Sequence, residues 1–99
     1  QFEYIFVIIP DRHQIDPDLL LTRSQYYGIE EEQIEITLPN NMLAVALETN
    51  DVPYVDITPC MADREDVVSL YYLRDNHLTA NGHRVAAKCM NNELEEIVR

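Results

Sequence analysis

Apolar and polar positions along the chain divide it into two strand-like and three helix-like segments. The first segment, residues 2–10, has a continuous apolar centre over residues 4–9 that is rich in β-branched and aromatic side chains and stops at Pro10. An apolar run without polar alternation is typical of a strand buried on both faces, as in a parallel sheet. Residues 11–18 follow as a predicted polar loop, and residues 52–58 are predicted as a second, short strand.

Three helices are predicted from capping residues and apolar spacing. The first begins with Asp16 as N-cap and Pro17 at the first helical position, and Gly28 is its natural stop. The second starts near residues 37–39, ends around residue 50, and is predicted to present one apolar face, made of Met42, Leu43, Ala46 and Leu47. The third starts at residues 79–81 and runs to residue 98, with an apolar stripe at helical spacing, made of Ala86, Cys89, Met90, Leu94 and Ile97.

The order of these segments predicts an α/β fold. Strands that alternate with helices form parallel sheets with right-handed crossovers. Two parallel strands do not make an independent sheet, and an apolar first strand needs neighbours on both sides. We therefore expect residues 1–99 to be a single, partial α/β domain. It would either belong to a larger α/β domain or complete its sheet by pairing with another copy through the exposed sheet edge.

Composition and charge exclude several functions. The chain has 99 residues, of which 46% are hydrophobic, and its 18 acidic and 7 basic residues give a net charge of -11. Such a charge argues against binding to nucleic acid or to an anionic membrane surface. No apolar run approaches the roughly 18 residues that span a bilayer, and no signal peptide is apparent.

The two cysteines, Cys60 and Cys89, have neither CxxC spacing nor histidines at zinc-ligand spacing. Free thiols are the expectation, with a single disulfide as the alternative, and two cysteines do not decide the compartment. Asp11 and Asp56 lie near strand ends but have no evident third ligand, so no metal site is predicted. Only two glycines occur, which excludes a glycine-rich phosphate loop.

The strongest candidate chemistry lies in the stretch YYLRDNHLTANGHRVAAK, residues 71–88. Asp75 and His77 are two residues apart in a predicted loop, so their side chains can face one side together. A carboxylate beside an imidazole fixes the tautomer of the ring and stabilises its protonated form, as in the orienter and base of a nucleophilic triad. The alternative is that Asp75 caps a turn and His77 is a surface residue.

Other candidates are fewer. Arg12 and His13 follow the first strand, at the edge where α/β sheets bind ligands, and are candidate substrate-binding residues. The alternative is that they belong to a solvated loop. His83 is expected to be a residue of the helix start, with a second base as the alternative. Tyr71 and Tyr72 are expected to line the site or belong to the core. Cys60 acting as a nucleophile with His77 is a further alternative.

The block DNHLTANGHRVAAK resembles the last conserved block of the SGNH/GDSL hydrolase superfamily of esterases and acyl-transferring relatives. The matching residues are Asp75, His77, Thr79, Gly82, His83, Ala86 and Ala87. The segments YIFVIIPDRHQID and VPYVDIT look like the fourth and fifth strands of such a domain, so the resemblance covers nearly the whole chain in order. It implies a catalytic acid at Asp75 and a base at His77, with no cofactor.

Two departures shape what the resemblance implies. The commonest family spacing is DxxH, whereas one residue separates Asp75 and His77 here, which looks more like the branch of alginate O-acetylation proteins. The serine and oxyanion blocks of the family have no counterpart, since Ser24 and Ser69 do not lie in a strand-to-helix turn. The resemblance therefore implies the C-terminal portion of a three-layer, flavodoxin-like SGNH domain, inactive by itself, that hydrolyses or transfers an ester acyl group. A non-catalytic binding or assembly module is the alternative.

Overall fold

The sheet pairs the two predicted strands in parallel. The computed structural model describes residues 3–98, and within them β1 (Phe6–Ile8) pairs with β2 (Tyr54–Asp56) so that Val7 lies opposite Val55. The predicted mixed α/β class with a parallel sheet is confirmed. Each strand has three residues and is shorter than predicted. Phe2, where the predicted apolar segment begins, lies outside the described residues.

The three predicted helices form close to the expected bounds. They are α2 (Pro17–Tyr27), α3 (Leu38–Thr49) and α5 (Ala80–Val98). At the start of α2 the Asp16 carboxylate accepts the Leu19 backbone N–H at 3.2 Å. At its end, Gly28 has a φ of 68°, which a residue without a Cβ adopts at low cost. These two caps explain why the ends of this helix were predicted accurately from the sequence.

Short helical segments occur in places where no helix was predicted. Residues 12–15 form helix α1 (Arg12–Ile15), residues 58–62 form helix α4 (Thr58–Ala62), and 3₁₀ turns occupy Glu31–Gln33 and Val67–Ser69. The prediction of a polar loop after β1 was therefore wrong. Asp11 and Gln14 form a capping box, in which each side chain bonds to the other residue's backbone N–H. One helical turn has no apolar periodicity, so its cap was the only available signal.

The core lies between β2, the short helices and α5. Its most buried members are Ile57, Met61, Leu70 and Cys89. Helix α5 contributes Ala86 and Cys89 from its predicted stripe and also Val85, which was not part of that prediction. Met90 is partly buried against them, whereas Ile97 lies at the exposed end. No helix within residues 3–98 has the length and apolar character required to cross a membrane.

Helix α3 does not pack through its predicted face. Leu47 is buried, but Met42 and Leu43 are exposed, and the second deeply buried side chain is the polar Asn40. The Asn40 amide donates to Thr58 Oγ1 at 2.9 Å and accepts from Gln14 Nε2 at 2.7 Å. The helix is thus attached to α1 and α4 by a buried polar network, which hydrophobic spacing does not detect.

A disulfide joins Cys60 of α4 to Cys89 of α5, with their Cα atoms 5.9 Å apart. The expectation of free thiols was therefore wrong. The two residues are 29 positions apart in the chain and meet only because α4 and α5 pack against one core. Spacing in sequence does not reveal such a contact.

Within residues 3–98, one side of β1 is open. Phe6 is 49% exposed, and Tyr4 and Ile9 are exposed as well, so the expected burial of this strand on both faces was wrong for this chain. The reason is that, in the part of the chain that the structure describes, β1 pairs with β2 alone. The chain exposes 7220 Å², against about 5,800 Å² expected for a folded monomer of this length. Its radius of gyration is 14.8 Å, against about 13 Å for a compact domain.

Candidate active site

Asp75 and His77 lie on a loop whose two sides pair with each other. Tyr71 and Leu78 form an antiparallel bridge, and the Tyr72 N–H donates to the His77 carbonyl at 3.1 Å. The intervening residues form the exposed tip of this hairpin-like loop, residues 71–78, which we call the Asp75 loop. The bridge therefore determines where the exposed tip, which carries the two predicted catalytic residues, projects from the protein surface.

The two side chains are in contact. Asp75 Oδ1 lies 3.3 Å from Nδ1 of His77 and also accepts the His77 backbone N–H at 2.9 Å. The His77 side chain is 86% exposed and that of Asp75 is 54% exposed. Because the carboxylate approaches Nδ1, Nε2 is the nitrogen that can exchange a proton with a reacting hydroxyl. The imidazole is not packed against α5.

Helix α5 holds the base of the Asp75 loop. Thr79 accepts the Gly82 N–H on Oγ1 at 3.0 Å, as an N-cap does, and its own N–H donates to the Leu70 carbonyl at 3.0 Å. A Cβ atom at Gly82 would lie 1.9 Å from the Leu70 carbonyl oxygen. Gly82 is therefore required, because it lets the start of α5 pack closely on the backbone that precedes the Asp75 loop.

Arg12, a predicted substrate-binding residue, holds the other side of this loop. It is 8% exposed, and its Nη1 donates to the carbonyls of Tyr72 at 3.3 Å and Leu73 at 3.1 Å. Its Nε lies 3.4 Å from the Asp16 carboxylate. The residue that follows β1 thus positions the loop of Asp75, a role that the sequence did not predict.

His13, the other predicted substrate-binding residue, forms a second acid–histidine pair. Asp11 Oδ2 lies 2.6 Å from Nδ1 of His13 and accepts the His13 N–H at 2.9 Å. This pair has the same spacing in sequence as Asp75 and His77 and a shorter contact. Sequence reasoning considered Asp11 only as a metal ligand, although the repeated spacing was a visible signal. The Asp11 carboxylate also caps α1, so the pair has a structural role.

A cavity of about 100 Å³ brings the two chain segments together. It is bordered by α1, by α2 and by the tip of the Asp75 loop, and its polar lining consists of Arg12, His13, Arg23, Arg74, Asp75 and Asn76. Three of the four predicted site residues therefore meet at one place. His77 is not part of the lining and lies beside it, in the open.

The only two serines in the sequence serve structural hydrogen bonds. Ser24 is 4% exposed and donates to the Leu21 carbonyl at 2.8 Å. Ser69 donates to the Asp66 carbonyl at 2.7 Å and accepts from Asn81 at 2.8 Å. Cys60 is disulfide-bonded, so its proposed role as a nucleophile with His77 is wrong. Among residues 3–98, neither serine nor cysteine offers an activated nucleophile to His77.

Tyr71 connects the Asp75 loop to the end of β1. Its buried hydroxyl donates to the Pro10 carbonyl, and it is a member of the core, as predicted, whereas Tyr72 is half-exposed. Burial, together with the nearby charge of Asp11, raises the pKa of Tyr71 to about 12. At neutral pH the phenol is therefore protonated and serves as a structural hydrogen-bond donor.

Asp66 lies in the connector that precedes the Asp75 loop. Hydrogen bonds from Arg64 and Asn81 lower the pKa of its carboxyl to about 2. Asn81 is in the first turn of α5, so the charged carboxylate attaches this connector to the start of the helix. Within the described part of the chain, no three His, Cys, Asp or Glu side chains converge as metal ligands do.

Comparison of the chain with protein-family models, with curated proteins and with solved structures found no match.

Proposed function

We propose that this chain carries the acid–base part of a serine esterase or O-acyltransferase site of the SGNH/GDSL type. The observation that most supports this proposal is the contact of Asp75 Oδ1 with Nδ1 of His77 at 3.3 Å, on a loop held in place from both sides. The proposed fold is the C-terminal portion of a three-layer parallel-sheet domain. The open outer edge of β1 and the large exposed surface support a chain that packs against further structure.

The proposed reaction uses a serine from outside these 99 residues. His77 Nε2 takes the proton of the serine hydroxyl as its oxygen forms a bond to the carbonyl carbon of the ester. Collapse of the tetrahedral intermediate breaks the ester bond, and His77 gives the proton to the departing alkoxide. Water, or an acceptor hydroxyl, then attacks the acyl-enzyme with His77 again as base, which yields hydrolysis or transfer. Asp75 orients the ring and stabilises its charged form.

The proposal is tested by turnover of p-nitrophenyl acetate by the full-length protein that contains this chain. His77→Ala should lower kcat by about 10²–10⁴-fold, the usual contribution of a general base. His83→Ala is the matched control, because His83 lies exposed in the first turns of α5 and should leave turnover unchanged. The 99-residue chain alone should show no turnover above that of its own His77→Ala variant. Activity of the isolated chain that depends on His77 would contradict the missing-serine mechanism.

One observation favours a second function, a non-catalytic binding or assembly module. Asp75 accepts the His77 backbone N–H at 2.9 Å, a shorter contact than the one to the ring, as a turn-forming aspartate does. Asp75→Asn separates the two functions, because the amide oxygen can keep the turn but carries no charge. A catalytic Asp75 predicts a fall in kcat of at least about 10²-fold in this variant. Unchanged turnover would show that Asp75 is not catalytic, and a full-length protein without His77-dependent turnover would favour the module.

Assembly through the sheet edge belongs to the same proposal. The outer side of β1 carries Phe6, which is half-exposed, and pairing there with another strand would cover it. A second copy or a further segment of the same protein would satisfy the edge. Light scattering of the 99-residue chain should show a dimer at micromolar concentration, and a stable monomer would contradict pairing between copies.

A further inference from the structure

The cavity beside Asp75 concentrates positive charge in a strongly acidic chain. Only 7 of the 99 residues are Lys or Arg, against 18 Asp and Glu. Three of those seven, Arg12, Arg23 and Arg74, border this one cavity together with His13. They come from α1, α2 and the Asp75 loop, so folding brings them together from positions up to 62 residues apart.

Their charges are only partly neutralised within the protein. Arg12 lies 3.4 Å from the Asp16 carboxylate, and Asp75 borders the cavity but places Oδ1 on His77. Among the ion pairs of residues 3–98, neither Arg23 nor Arg74 takes part. Like charges that converge without partners oppose folding, and an anion between them would remove that cost.

Arg12 is also pre-organised to receive an anion. Its guanidinium is buried and fixed by the carbonyls of Tyr72 and Leu73, which together use one of its terminal nitrogens. The planar fork of a guanidinium matches the oxygens of a carboxylate or a phosphate. The exposed Arg23 and Arg74 side chains can move over a bound group, since they lie at the rim.

The size of the cavity limits the ligand. At about 100 Å³ it is well below the roughly 300 Å³ of a pocket for a drug-sized molecule. One carboxylate or phosphate group fits such a volume, whereas the remainder of a larger molecule would extend into solvent.

We infer that this cavity is an oxyanion-binding subsite, which takes a carboxylate or phosphate group carried by the ester substrate or the acyl acceptor. The binding of the anion follows from Arg12, Arg23 and Arg74 alone. Its assignment to the substrate rests on the proposed function, because Asp75 belongs both to the cavity and to the pair with His77. In such a substrate, the ester bond would lie a short distance from the carboxylate or phosphate group that the cavity binds.

The test is a titration of the 99-residue chain with inorganic phosphate, and separately with acetate, at constant ionic strength. Arginine Nε–H resonances are followed by NMR. Saturable shifts at Arg12, Arg23 and Arg74 with one of the two anions are expected, and the anion that binds more tightly identifies the group. The double variant Arg23→Gln/Arg74→Gln should bind about tenfold more weakly for each guanidinium removed. Arg84→Gln is the control, because Arg84 bonds to Asn81 on α5 and does not border the cavity.

The outcomes separate this inference from the proposed function. Linear, non-saturating shifts with both anions, or equal affinity in the double variant, would overturn the inference. Saturable binding together with esterase activity that does not depend on His77 would keep the subsite and refute the proposed mechanism. His77-dependent activity without anion binding would refute the subsite alone.

Discussion

Nη1 of Arg12 lies 3.1 Å from the carbonyl oxygen of Leu73, 61 residues further along the chain. This contact attaches the segment after β1 to the tip of the Asp75 loop, whose side chains are otherwise exposed. The same guanidinium contacts the Tyr72 carbonyl and the Asp16 carboxylate, so one buried cation determines how two chain segments meet. The position of the proposed catalytic acid therefore depends on a residue outside residues 75–87.

Replacement of Arg12 by lysine should destabilise the protein by about 2–3 kcal/mol. A lysine keeps the charge but offers one ammonium where the guanidinium spans two carbonyls and a carboxylate, and it leaves buried acceptors unpaired. Urea unfolding measures the loss. The control is Arg84→Lys on the exposed side of α5, where a change within about 0.5 kcal/mol is expected. Equal stability of the two variants would show that the Arg12 contacts contribute little.

Alanine substitutions at Gly82 and Gly28 form a matched pair, because the first glycine is confined by nearby atoms and the second only by its backbone conformation. Gly82→Ala should cost about 3 kcal/mol, because the new Cβ would lie 1.9 Å from a backbone oxygen of Leu70 and the helix start must move. Gly28→Ala meets no atom within 4 Å but retains a φ of 68°, so about 1 kcal/mol is expected from backbone conformation alone. Thermal unfolding of both variants should rank them in this order. The reverse order would show that α5 has room to shift.

The elements that sequence reasoning located were those whose signals are local. Asp16 and Gly28 mark the ends of α2 in the sequence itself, and the stripe of α5 has helical spacing. Helix α1 has only four residues, too few for periodicity, and its capping box was overlooked. The buried face of α3 was misassigned because Asn40 packs inward through hydrogen bonds and Met42 faces solvent.

The candidate site could likewise be predicted only where its contacts join residues that are close in sequence. The contact of Asp75 with His77 follows from their spacing, and the pair of Asp11 with His13 should have been found in the same way. The contacts made by Arg12 and the convergence of Arg23 with Arg74 join distant positions. They depend on how α1 and α2 pack beside the Asp75 loop, which no pattern in a single sequence specifies.

The disulfide between Cys60 and Cys89 should contribute about 3–4 kcal/mol, the loop-closure value for a separation of 29 residues. Non-reduced protein should therefore take up no iodoacetamide at either cysteine, as measured by mass spectrometry. The double variant Cys60→Ala/Cys89→Ala, and the wild type in dithiothreitol, should both unfold at lower urea concentration. Alkylation of both thiols before reduction would show that the bond is absent. Its presence would favour an oxidising compartment.

Tyr71 should make stability fall between pH 10 and pH 12. Burial raises the pKa of its phenol in the folded state to about 12, whereas the unfolded chain releases this proton near pH 10. Between these values the unfolded state binds fewer protons than the folded state, so the free energy of unfolding decreases as pH rises, by at most about 1.4 kcal/mol per pH unit. Below pH 10 the contribution is fully present.

Tyr71→Phe should remove this slope and also lose the hydrogen bond to Pro10 at neutral pH. Tyr72→Phe is the control, since Tyr72 is half-exposed and should leave the slope as it is in the wild type. Tyr54, whose pKa is raised by its hydrogen bond to Glu48, contributes equally to all three proteins, so the difference between the variants isolates Tyr71. Urea unfolding at pH 9, 10 and 11 measures the slopes. Identical slopes in the two variants would mean that the Tyr71 hydroxyl ionises in the folded protein as readily as in the unfolded chain.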